Sequence, residues 1–165
     1  LDTYKRLREN GFNDIGIVLQ AYMKRSADDI KNMQDYKPNI RLCKGIYNEA
    51  PSIAYKDPDK IRDNYKKLLR IIFDGGMYPG IATHDEELIR DALNLINERG
   101  LKREDYEFQM LLGVRELRRD ELLEEGHRLR VYVPFGEDWY GYSTRRLKEN
   151  PQMAGHVFKA IFTRK

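Results

Sequence analysis

The sequence has little of what thiol and metal chemistry need. One cysteine and three histidines stand among 165 residues. A single cysteine excludes a disulfide framework and a cysteine-rich metal site. His84, His127 and His156 are far apart in the chain. No H-x-x-x-H spacing or carboxylate at metal-ligand spacing accompanies them, so a metal centre is their weakest reading. Neither G-x-G-x-x-G nor G-x-x-x-x-G-K-[ST] occurs, which removes both phosphate-cradling loops. The missing G-x-S-x-G removes the nucleophile-elbow hydrolases. No apolar run approaches the roughly 20 residues of a membrane span; the longest, LLRIIF, is interrupted by Arg70. An excess of one charge is lacking too. The net charge of +3 comes from interspersed residues of both signs, whereas nucleic acid calls for a concentrated basic stripe. Nothing like a signal segment follows Leu1, and the true start of the protein is expected upstream. These absences fit a soluble chain of a reducing compartment, hence a cytoplasmic one, with peripheral contact at an inner membrane surface left open.

What the chain does contain is a hydrophobic fraction of 41%, enough for a core, arranged as repeated strand–helix units. DIGIVLQAY (14–22) is an apolar, β-branched run, followed by a helical SADDIKNMQDY (26–36) with Ser26 as its expected cap. Past Pro38, NIRLCKGIY (39–47) is the second strand. DPDKIRDNYKKLLRIIFDGG (57–76) is the clearest helix, with Asp57 as cap, Pro58 in the first turn and Gly75 at the end. Its apolar face is Ile61, Tyr65, Leu68, Leu69 and Ile72. MYPGIATH (77–84), YEFQMLLG (106–113) and RLRVYVPFG (128–136) are three more strands. HDEELIRDALNLINERG (84–100) and RELRRDELLEEGH (115–127) are helices between them. The remaining EDWYGYSTRRLKEN and PQMAGHVFKAIF are helical segments parted at Pro151.

Such alternation builds a parallel sheet with crossover helices. Without a glycine-rich loop after the first strand, the doubly wound nucleotide-binding sheet is disfavoured against a (β/α)8 TIM-type barrel. A whole barrel takes about 250 residues and eight units. The expected architecture is therefore the C-terminal five strand–helix units of a barrel, with residues 1–165 forming part of one domain whose N-terminal units are missing.

In barrels, function collects where strands end, because the βα loops face one mouth. Here the ends are Gln20-Ala21-Tyr22, then Arg41 with Lys44-Gly45, Thr83-His84, Gln109 before Leu111, and Tyr132. Strand ends are also simply where chains turn polar, but five in series favour a shared pocket. Arg41 in a parallel strand has to be paired or ligand-bound. Lys44-Gly45 tips it toward a ligand, since glycine lets one approach the backbone. Cys43 reads as a small buried hydrophobe. His84 suits a ligand contact, a base, or a hydrogen-bonding residue at a helix start. In YGYSTRR, Tyr142, Arg145 and Arg146 share one helix face, and two guanidiniums together suit a small carboxylate. The bland alternative is a basic helix partnered by Glu149 or Glu137.

LQAY (19–22), RLCKGIY (41–47), ATH (82–84), EFQMLLG (107–113), RVYVPFG (130–136) and Y-S-T-R-R (142–146) occur in the order found in the proline dehydrogenase family, which the chain resembles over nearly its whole length. The likeness is strongest to the bacterial single-function type. It implies a distorted (β/α)8 barrel holding flavin adenine dinucleotide (FAD). L-proline would be oxidised to 1-pyrroline-5-carboxylate by hydride transfer to the flavin, with a quinone taking the electrons.

The resemblance also implies residue roles. Gln20 would contact the flavin, and Arg41 would donate to its reactive nitrogen edge as the catalytic cation. Lys44, Gly45 and Ile46 would support the cofactor, Thr83 and His84 its phosphate and ribose, with Gln109 close by and Glu149 at the nucleotide end. Leu111, Tyr132 and Tyr142 would wall the substrate pocket, and Arg145 and Arg146 would take the proline carboxylate. The family's lysine and aspartate from earlier strands have no counterpart before residue 14. Two other readings stay open: another anion-binding (β/α) barrel enzyme, or a non-catalytic interaction module with RELRR (115–119) in its basic face.

Overall fold

Aspartates, prolines and glycines at the junctions divide this chain into short alternating helices and strands, and the strands all run the same way. A computed structural model describes residues 1–137. The strands are β1 (Gly16–Gln20), β2 (Asn39–Cys43), β3 (Tyr78–Ala82), β4 (Glu107–Leu111) and β5 (Leu129–Tyr132). The helices are α1 (Asp2–Glu9), α2 (Ser26–Lys31), α3 (Pro58–Asp74), α4 (Glu86–Glu98) and α5 (Glu116–Glu124), with a 3-10 turn at Gln34–Tyr36. Spatial order follows chain order, β1-β2-β3-β4-β5, and every neighbouring pair is parallel. A doubly wound sheet reverses its order at a switch point. A sheet that always adds the next strand on the same side is winding into a barrel.

Each strand is shorter than its apolar stretch suggests. The tails Ala21-Tyr22, Lys44-Gly45 and Thr83-His84 lie past the strands and open the βα loops, although the Ala21 and Tyr22 amides still donate to the Cys43 and Lys44 carbonyls at 2.7 and 2.8 Å. Period-two alternation then gives the sheet two unlike faces. Leu19, Ile40, Leu42, Ile81, Phe108 and Met110 point under the helices and are buried. They meet Ile30 of α2, Tyr65, Leu68, Leu69 and Ile72 of α3, Leu88, Ile89 and Ala92 of α4, and Leu122 of α5 in one core. Each such large side chain contributes about 1.5–3 kcal/mol by leaving water. The Tyr65 phenol is satisfied in that core by donating to the Leu42 carbonyl at 3.0 Å. Burial pushes its pKa far up, so it remains a donor at all physiological pH. The opposite, concave face carries Gln20, Arg41, Cys43, Gly80, Glu107, Gln109, Arg130 and Tyr132.

The helix ends agree with the sequence at α3 and differ at α2. Asp57 caps α3 by accepting from the Asp59 amide at 2.9 Å, with Pro58 next. Gly75 ends α3, and Gly76 takes the left-handed turn at φ 62°. Ser26 is not a cap: the cap position is Arg25, and the Ser26 hydroxyl donates back to the Gln20 carbonyl at 2.7 Å. The helix expected over 26–36 also breaks after Lys31, before the 3-10 turn. α1 was not foreseen from its highly charged sequence. Its Tyr4 is buried, edge-on to Tyr36 at 6.4 Å, and Glu9 accepts from the Tyr36 hydroxyl at 3.0 Å.

Leu68→Ala opens a cavity at the centre of this core, where Leu68 is 0% exposed. It is expected to cost about 2–5 kcal/mol by denaturant unfolding. A loss below about 1 kcal/mol would mean that α3 is not packed on the sheet as described.

Candidate active site

Parallel register brings every strand's C-terminal end to one edge of the sheet. Gln20 lies beside Cys43, Ala82 beside Gln109, and Leu111 beside Tyr132. Just below that edge a polar ladder crosses the concave face. The Arg41 guanidinium donates to Gln109 Oε1. Gln109 Nε2 donates to Glu107 Oε1 at 2.6 Å, and Arg130 Nε lies 2.8 Å from the same oxygen. Arg130 Nη2 and the Tyr78 hydroxyl reach Glu107 Oε2 at 3.1 and 3.5 Å. Arg41 is thus half-buried and paired through an amide rather than directly through an acid.

Gly80 makes this ladder possible. It sits on β3 between Arg41 and Glu107 in register. A Cβ there would run into the Gln109 amide. Glycine inside a strand marks such a close approach. That signal, with Pro79 beside it, stands in YPGIA, yet Gly80, Glu107 and Arg130 were not singled out from the sequence.

Above the ladder, Asp85 joins two βα loops and α3. It caps α4 by accepting from the Glu87 amide at 3.1 Å. Its other oxygen accepts from Lys44 Nζ at 2.9 Å and Arg62 Nε at 2.8 Å. Burial pushes this carboxyl up, but the Lys44 and Arg62 hydrogen bonds outweigh it and hold the pKa at about 2. Thr83 is buried, its hydroxyl accepting from the Asp85 amide at 3.1 Å. His84 Nε2 accepts from the Leu111 amide at 2.9 Å, which leaves the neutral ring's proton on Nδ1. This bond fastens the loop after β3 to the end of β4, rather than serving the start of α4. Asp85 was missed because a carboxylate opening a helix looks like a cap and nothing more.

Two further expectations change. The space at the missing Gly45 side chain is filled by the Tyr22 ring rather than open to a ligand, and φ of 105° there also demands glycine. The RELRR arginines do not form a bare basic face. Arg115 meets Glu86 at 2.6 Å, Arg118 meets Glu121 at 2.9 Å and Arg119 meets Asp120 at 2.8 Å. Cys43 is half-buried on the concave face, its thiol donating to the Leu19 carbonyl at 3.6 Å, and burial pushes its pKa up. Gln20, Ile46 and Leu111 are half-buried, and Tyr132 is 47% exposed. Tyr142, Arg145, Arg146 and Glu149 lie outside the described residues.

A singly wound parallel sheet with its polar row on one face and its loops at one edge is an arc of a TIM-type barrel. The proline dehydrogenase family pattern matches residues 1–159, and the chain belongs to that family. It is 41% identical to Proline dehydrogenase 1 of Bacillus subtilis subsp. natto over 98% of its own length and 53% of that protein's. It is 40% identical to Proline dehydrogenase of Deinococcus radiodurans, covering 93% of this chain and 49% of the other. The chain thus spans about half the length of the curated relatives it matches. Among solved structures, proline utilization A of Bdellovibrio bacteriovorus, inactivated by N-propargylglycine, shares the fold. The TM-score is 0.78 at 24% identity, over 90% of this chain and 18% of that one.

The joint duty of Asp85 can be tested without losing the cap, because asparagine caps as well as aspartate. With its folded pKa near 2 and its unfolded one near the usual carboxylate value, Asp85 contributes stability that is complete above about pH 4 and is lost as pH falls through 2. Asp85→Asn is expected to destabilise by about 1–2 kcal/mol at pH 7, with the difference from the parent falling to about a third of that near pH 2.5. Unfolding curves at both pH values check this; a pH-independent difference contradicts it.

Proposed function

We propose that this chain contributes the C-terminal units of one barrel domain in a proline dehydrogenase that oxidises L-proline to 1-pyrroline-5-carboxylate with FAD. Its electrons pass to a quinone, and earlier strand–helix units complete the barrel. The observation that carries this reading is the Arg41–Gln109 pair on the concave face, in a chain of this family.

The donor set suits such a cofactor. Flavin adenine dinucleotide presents acceptor nitrogens and oxygens on a flat ring and a doubly charged diphosphate. Arg41 spends one of five N–H donors on Gln109, leaving its fork able to serve an acceptor. Lys44, with its side chain 39% exposed, has further donors beyond the one given to Asp85. Gln20, Arg41 and Gln109 would hold the ring. Lys44 and Ile46 would hold the chain beyond it, with Thr83, His84 and Glu149 toward the nucleotide. When bound, the flavin supplies the hydride acceptor, chemistry that no side chain here can provide.

The protein's own part is positioning. Arg145 and Arg146 would bind the proline carboxylate, while Tyr132, Tyr142 and Leu111 shape the pocket around its ring. An anchor away from the reacting carbon uses binding energy for orientation. Asp85 keeps Lys44 at the mouth as a held cation rather than a mobile one.

Three measurements test the reading. The full-length protein should be yellow with a flavin spectrum; a colourless protein that takes up no added FAD contradicts the assignment. Arg41→Met should slow flavin reduction by about 10- to 100-fold, whereas Arg145→Met should chiefly raise KM for proline. The 165-residue chain alone should bind flavin poorly and turn over little proline, and activity equal to the full-length protein would count against the partial-barrel reading.

A further inference from the structure

Resting on the flavin reading above, we propose that Glu107 is a positioning residue for Arg41: through the Gln109 amide, which passes over the gap at Gly80, it aims the guanidinium at the cofactor's acceptor edge. Glu107 is only 6% exposed, at the centre of the concave face. An ionised carboxylate is acceptor-only. Gln109 can meet it only with the amide nitrogen, and does so at 2.6 Å. The amide oxygen must then face the other way, toward Arg41, where it accepts. Without Glu107, only the guanidinium still holds the amide, whose nitrogen end has lost its anchor, and Gln109 can swing away together with Arg41.

The neighbours complete the device. Arg130 balances the buried charge from a side chain that is 69% exposed, so it can retreat to water if the carboxylate is removed. Tyr78 closes the second oxygen at 3.5 Å. Gly80 leaves the space that the Gln109 amide occupies over β3, where a Cβ would collide with it. A plain ion pair with Arg130 would need neither Gln109 nor glycine at position 80.

The test uses the full-length flavoprotein in two backgrounds, Arg41 and Arg41→Met. Glu107→Leu is expected to slow flavin reduction by proline about tenfold with Arg41 present and less than about twofold in Arg41→Met, because positioning acts only through the arginine. Glu107→Gln retains an acceptor oxygen and should restore most of the rate. Gly80→Ala leaves every charge in place but crowds Gln109, and should repeat the loss; it serves if Glu107→Leu does not fold. Crystal structures of Glu107→Leu or Gly80→Ala should show the Arg41–Gln109 contact displaced from its place in the parent. Equal rate losses in both backgrounds, or an Arg41–Gln109 contact unchanged in these variants, would overturn the proposal. If the parent holds no flavin, the functional reading fails by itself, and the crystallographic contact still decides whether Glu107 orients Gln109.

Discussion

The alternation of side chains across a parallel sheet governs everything else here. Burying Leu19, Ile40, Leu42, Ile81, Phe108 and Met110 beneath the helices commits the intervening residues to the concave face. Those residues include two arginines, a glutamine and a buried glutamate. Charges in such a place have to be paired where they stand, since desolvation of an isolated one costs far more than the fold can tolerate. The ladder from Arg41 through Gln109 and Glu107 to Arg130 answers that need. It also leaves the arginine nearest the mouth with donors in hand.

The mouth couples stability to chemistry through another acid. Asp85 starts α4, holds Lys44 and Arg62, and places Thr83 against its own amide. Lys44 is therefore steered by a residue whose first duty is to a helix end. In the same way His84 reaches across to the Leu111 amide, so the strand ends are fastened to one another. Residues that could bind a ligand are built into the loop structure before any ligand arrives.

Much of this was legible in the chain. The strand–helix rhythm, the Asp57 cap with Pro58, and the apolar face of α3 are local, and local rules of capping and periodicity suffice to find them. Order along the chain and the absence of a glycine-rich loop pointed to the barrel, and strand-end residues from Gln20 to Tyr132 do share one edge. Other features were not local. Ser26 satisfies every rule for a cap, but the Gln20 carbonyl offered its hydroxyl a partner six residues back, at the end of β1. The Gly45 space looked open until Tyr22 was folded against it.

What the sequence by itself determined is which residues belong to strands, which to helices, and which strand ends are polar, because these depend on near neighbours and a fixed period. Only the tertiary structure decided the partners: Gln109 for Arg41 across 68 positions, Asp85 for Lys44 across 41, and Glu107 for Arg130 across 23. Such pairings depend on sheet register and on a missing Cβ at Gly80, and neither is written at any single place in the chain.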